Sequence, residues 1–110
     1  MSELSFIDVI PARQTVRHGD SLNLLGGAAN GGKALETDIS VWGSDGNGWR
    51  AMATRRFHIE EGEHKHLYFT LDPGSFSEEF WGEEPEELEL IIRDSEPAPG
   101  ENGVIVFIAD

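Results

Sequence analysis

No cysteine occurs in the 110 residues of this chain. Disulfides, thiolate nucleophiles and cysteine-ligated metals are excluded together, and the fold must be held by its core alone. No window approaches the ~18 consecutive apolar residues of a membrane-spanning helix. The opening MSELSFIDVI carries an acid at Glu3 and lacks the basic and long apolar regions of a secretory signal. A cytoplasmic protein is the expectation. Bases are also scarce: eight Lys and Arg stand against 21 Asp and Glu, for a net charge of −13. The excess is not evenly spread. Residues 1–55 hold six acids and five bases, whereas residues 56–110 hold fifteen acids and three bases. Such a surface repels phosphate backbones, so a nucleic-acid partner is not expected. It suits solubility, a salty habitat or a basic protein partner. Neither an internal repeat nor a low-complexity segment is present.

What the chain does have is alternation. Its clearest stretch is Arg56–Leu71, RFHIEEGEHKHLYFTL. Phe57 and Ile59 alternate with Arg56, His58 and Glu60. After the turn EEGE, Leu67, Phe69 and Leu71 alternate with His64, His66, Tyr68 and Thr70. That is the two-residue period of half-buried β-strands.

The same reading extends along the chain. Residues 4–10, LSFIDVI, predict a first strand ended by Pro11, which cannot donate to a ladder. Gln14–Arg17 predicts a short edge piece, and His18-Gly19-Asp20 a turn. Residues 21–27, SLNLLGG, predict a strand followed by a loop over GGAANGGK, residues 26–33. That loop resembles a phosphate-binding loop only in part, because Ala34 replaces the required Ser or Thr and a strand follows where a helix is needed. Leu35–Trp42 alternates cleanly, GSDGNG at 43–48 is a loop, and residues 49–59 return, with a kink or change of sheet expected near Ala53 and Thr54. Trp42 and Trp49 bracket the loop and are expected to pair across the two strands. Asp72-Pro73-Gly74 is a turn. Ser75, with Glu78 three residues on, has capping-box spacing for a short helical turn. Such a turn would tuck Phe76, Phe80 and Trp81 against the fold and stop at Gly82. Leu88–Ile92 predicts a buried strand. Val104–Ala109, VIVFIA, is apolar throughout and is expected to be central or covered on both faces. Seven to eight strands without a substantial helix predict an all-β, antiparallel immunoglobulin-like β-sandwich in one domain, residues 1–110, with a small barrel or jelly roll as the alternative.

Two steps carry a resemblance. His18-Gly19-Asp20-Ser21-Leu22, and Ile59-Glu60-Glu61-Gly62-Glu63 followed by Leu67, Phe69 and Leu71, resemble the glycine turns that lead into strands in immunoglobulin-like modules of the CARDB and adhesion type. No proline precedes either glycine here. The resemblance implies a sandwich fold and carries no catalytic residues.

Three groups of side chains are candidates for chemistry. His64 and His66 form an H-x-H on one strand face, with His58 nearby and Glu60 or Glu63 able to add a carboxylate, so a metal at His64 and His66 is a possibility. Exposed polar residues on a strand face read equally well as a solvated surface. Asp45-Gly46-Asn47-Gly48 lacks the later ligands of a calcium loop, since Trp49 and Arg56 stand at its fifth and twelfth positions. Trp42, Trp49, Tyr68 and Trp81 fall on non-core faces or loops and are candidate partner-binding aromatics. No nucleophile elbow and no distinct carboxylate pair is present. The leading expectation is a non-catalytic, protein-binding sandwich, an accessory or assembly subunit of a larger complex. A small metal-binding protein or enzyme centred on His58, His64 and His66, and a carbohydrate-binding module using Trp42 and Trp49, are the alternatives.

Overall fold

The computed structural model describes residues 4–10 and 13–109. Pro11, the expected end of the first strand, lies outside them. Eight strands occur among the described residues: β1 (Leu4–Ile10), β2 (Arg13–Arg17), β3 (Leu22–Asn30), β4 (Leu35–Ser44), β5 (Trp49–Ile59), β6 (His64–Leu71), β7 (Glu87–Arg93) and β8 (Val104–Ala109). They form a three-stranded sheet, β1-β3-β6, and a five-stranded sheet, β2-β8-β7-β4-β5. All pairings are antiparallel except β2 with β8, which is parallel. The architecture is the β-sandwich that the alternation predicts.

The core is what the alternation points inward. Leu22, Leu24, Leu67, Phe69 and Leu71 from the smaller sheet meet Ile39, Val41, Phe57, Ile59, Leu88, Leu90, Ile92, Val106 and Ile108 from the larger. Burying each such side chain contributes about 1.5–3 kcal/mol. Phe57 of β5 and Phe69 of β6 meet edge to face across the two sheets, with ring centroids 5.9 Å apart. The turn between them therefore crosses from one sheet to the other, with Gly62 at φ 74° where a side chain would be strained.

One expectation needs correction, and two that offered alternatives are each met in one form. First, GGAANGGK is mostly strand. β3 runs on to Asn30, and Gly26 and Gly27 are ladder residues opposite Leu67 and His66. A Cβ at Gly26 would stand 2.7 Å from Ile92 Cδ1 of the facing sheet. The glycine is there to let the sheets approach, not to make a loop. Second, β8 lies inside its sheet, between β2 and β7, but is not covered on both faces. Val106 and Ile108 point inward while Phe107 is 37% exposed. Third, β5 stays in one sheet. Its irregularity is a bulge: Val41 pairs with Ala53 and Trp42 with Ala51, leaving Met52 extra.

Residues 73–81 close one end of the sandwich. A 3₁₀ turn, Pro73–Phe76, leads to a single helical turn, α1 (Glu78–Trp81). Ser77, not Ser75, is the cap: its hydroxyl accepts from the Phe80 amide at 3.3 Å. Gly82, at φ 89°, ends the turn as expected.

Candidate functional site

Strand β6 positions three of the predicted site residues, His64, His66 and Tyr68. Its alternation sends Leu67, Phe69 and Leu71 inward and His64, His66, Tyr68 and Thr70 outward. Register with β3 and β1 arranges the outward residues in rows. Ser5, Ala29 and His64 form one; Ile7, Gly27 and His66 the next; Leu25 and Tyr68 a third; Asn23 and Thr70 the last. The Thr70 hydroxyl donates to Asn23 Oδ1 at 2.8 Å across this face. Gly27 leaves room for its neighbour: a Cβ there would lie 3.2 Å from Ile7 Cδ1. Ile7 is 52% exposed and Tyr68 62%, and they sit in adjacent rows. None of these ten outward positions is Asp or Glu, in a chain with 21 of them. The result is a flat face, partly apolar, with two imidazoles along one edge.

The other predicted site residues are placed elsewhere. His58 lies on β5, in the other sheet, and alternation turns it to that sheet's outer face opposite Glu36. It is therefore not brought together with His64 and His66, because the Glu60–Glu63 turn separates the sheets. Its Nε2 lies 2.6 Å from Glu60 Oε1 and its Nδ1 3.7 Å from Glu36 Oε1. The hydrogen bond to Glu60 holds its pKa above the ordinary 6.5; desolvation opposes it, and the charges of Glu60, Glu36 and Glu63 add to it. Glu63 is committed to the turn, where its Oε1 accepts from the Glu60 amide at 2.9 Å. Among the described residues, no group of three or more His, Cys, Asp or Glu is placed to hold a metal ion.

Trp81 is not an exposed platform. It is 4% exposed and part of the core, since the 73–81 cap drives it inward over Gly43. Its Nε1 donates to the Ser75 carbonyl at 2.8 Å, and the Arg50 guanidinium lies 5.3 Å from its ring centroid. Trp42 and Trp49 are half-buried on the outer face of the larger sheet. They are diagonal rather than opposite, since Trp42 faces Ala51 and Trp49 faces Ser44. Trp42 Nε1 donates to the Arg93 carbonyl at 3.3 Å, and its register neighbour Ile91 is 3% exposed. Ile91 lies outside the main core cluster, so Trp42 serves as a local cover on that face. Asp45 makes an ordinary loop contact, accepting from the Asn47 amide at 3.1 Å.

Sequence reasoning passed over Ile7, whose exposure follows from lying over Gly27. A glycine within a strand, opposite a large apolar residue, is the signal that finds it. The structure also gives the acids a place. Glu84, Glu86 and Glu87, with Phe107, line an open cleft of about 560 Å³ at the β7–β8 side of the larger sheet.

No helix among the described residues is long and apolar enough to cross a membrane. No family model matches the sequence, and no curated protein does. Solved structures do match in shape. A β-glucosidase from Listeria innocua in complex with glucose is 19% identical with a TM-score of 0.75, over 99% of this chain and 16% of that one. A β-glucosidase from Erythrobacter marinus is 16% identical with a TM-score of 0.70, over 96% and 15%. A β-glucosidase involved in saponin metabolism from intestinal bacteria is 20% identical with a TM-score of 0.61, over 86% and 14%. The chain thus spans about one sixth of the length of the solved chains it resembles, and at these identities the likeness is one of fold.

Proposed function

We propose that this chain is a non-catalytic, protein-binding β-sandwich, an accessory or assembly unit of a larger complex, which binds through the outer face of its three-stranded sheet. One observation carries the reading. Two of the three large hydrophobic residues exposed among the described residues, Ile7 and Tyr68, lie in adjacent rows of that face, and none of its ten outward positions named above is Asp or Glu. A strongly acidic protein places its charges where they keep it soluble and leaves bare the patch that another surface covers. Tyrosine adds a large, rigid contact with a polar end, the kind of side chain that anchors interfaces. The recurrence of this fold as about one sixth of longer chains agrees with a module that works joined to something larger. The cysteine-free composition suits the cytoplasm as its setting.

The test is quantitative affinity capture from the source cells with three baits: wild type, Tyr68→Glu and Trp49→Ala. A stoichiometric protein held by wild type and Trp49→Ala, and lost by Tyr68→Glu, is the expected result. Equal recovery by all three removes the face from consideration.

A further inference from the structure

We infer that His64 and His66 are one half of a zinc site, completed by the same pair from a second copy when two three-stranded sheets close face to face. The inference rests on the reading of that face as a binding surface and names its occupant.

The argument starts from ligand number. His64 and His66 are two residues apart on β6 and share its outer side, about 6–7 Å apart along the strand. Two imidazoles so placed lean over a common point and supply two nitrogens to one ion. Structural zinc takes four ligands, tetrahedrally, at about 2.0–2.1 Å for nitrogen. One copy cannot finish the set, because no group of three or more ligating side chains is assembled among the described residues. His58, the nearest in sequence, is on the other sheet and engaged by Glu60. A two-fold axis through the ion brings the same two histidines from a second copy, and the four imidazoles close the sphere.

Charge selects the same arrangement. Two chains of net charge −13 repel wherever their acids meet. None of the ten outward positions described above on the β1-β3-β6 face is an acid, so two copies that meet over these positions place none of their carboxylates at the contact. Zinc bound by neutral imidazoles adds two positive charges at the seam of two anionic chains. The same closure brings the Ile7/Gly27/His66 row of each copy over the Ser5/Ala29/His64 row of the other. Approach is by the face and not by the β6 edge at this point, because the Arg55 guanidinium already donates to the Tyr68 carbonyl at 2.6 Å.

The experiment is light scattering of the untagged full chain in chelator, and then with half an equivalent of zinc per chain. The expected result is a rise from the 12.1 kDa chain mass to twice that value, with one zinc per two chains by elemental analysis. His64→Ala and His66→Ala stay monomeric in zinc, while His58→Ala doubles like wild type. Cobalt in place of zinc gives the intense visible bands of a tetrahedral ion, absent in either strand variant. All three histidines are exposed, so unchanged melting of the variants separates lost metal from lost fold. A mass that ignores zinc, or a doubling that survives in the His64→Ala/His66→Ala double variant, overturns the inference. If zinc does nothing but Tyr68→Glu still loses a captured partner, the metal falls and the binding face stands. If neither zinc nor Tyr68→Glu has an effect, both fall.

Discussion

Asn30 is the residue whose loss the structure prices most directly. It is 2% exposed at the end of β3, where the β3–β4 and β5–β6 turns come together. Its Nδ2 donates to the carbonyls of Lys33 at 2.9 Å, Ile59 at 3.1 Å and Glu60 at 3.2 Å, and its Oδ1 accepts from the Gly32 amide at 2.9 Å. Its backbone joins the same knot, donating to the Glu63 carbonyl and accepting from the Gly62 amide. Replacing the side chain by alanine keeps the backbone bonds and strips the rest. The buried bond to Ile59 leaves an acceptor without a partner, costing about 1–3 kcal/mol, and each partly solvated bond adds about 0.5–1.5 kcal/mol. A total of about 2.5–7.5 kcal/mol follows. Unfolding entropy of about 2.1 cal/mol/K per residue over 110 residues converts each kcal/mol into about 4 °C of Tm. Asn30→Ala should therefore melt about 10–30 °C below wild type by circular dichroism, with an unchanged urea m-value. Asn30→Asp should fare worse than alanine, since a carboxylate then faces three carbonyl oxygens. A loss under about 3 °C for alanine, or an aspartate variant as stable as wild type, refutes the view of this amide as the clasp between the two turns.

Other outcomes follow from single contacts. Trp81→Ala empties a buried site and frees the Ser75 carbonyl, and should cost about 3–5 kcal/mol in chemical denaturation. Gly103→Ala should cost about 1–3 kcal/mol or more, because the new Cβ meets the Leu90 carbonyl, a backbone group that cannot swing aside; wild-type stability would contradict the packing. His58 should titrate by NMR with a midpoint above 6.5, and Glu60→Gln should lower it. With its folded pKa raised, His58 adds stability at pH below its ordinary value and loses it as pH climbs through the raised midpoint, so Glu60→Gln should flatten the pH dependence of Tm across that interval.

The strands were legible because each alternates, and alternation needs no partner to be read. Leu67, Phe69 and Leu71 point inward in the structure as in the sequence. What stayed hidden depended on which sheet a strand joins. Nothing local in HIEEGEH says that the turn changes sheets, so His58 reads as a neighbour of His64 although the fold sets them on different outer faces. Gly26 and Gly27 read as loop because glycine has low strand propensity; the facing Ile92 side chain explains Gly26, and the overlying Ile7 side chain Gly27. Trp81 reads both ways, as tucked inward by the short helical turn and as surface among acids; the first holds, and it depends on the space above Gly43. Of the candidate face, Tyr68, His64 and His66 were visible by period, whereas Ile7 needed the register of β1 against Gly27.

The position of β8 has a consequence for how the protein is made. It leaves the ribosome after the other seven strands, yet it occupies an interior place between β2 and β7. During synthesis β2 therefore waits without a ladder partner, and β7 holds an open edge beside Leu88 and Leu90. The five-stranded sheet cannot be completed vectorially, and its final zipping joins residues some ninety positions apart. Such long-range closure is slow and leaves apolar edge exposed meanwhile. Nascent chains stalled before residue 104 should thus be the form that chaperones recognise, while chains that include β8 escape them.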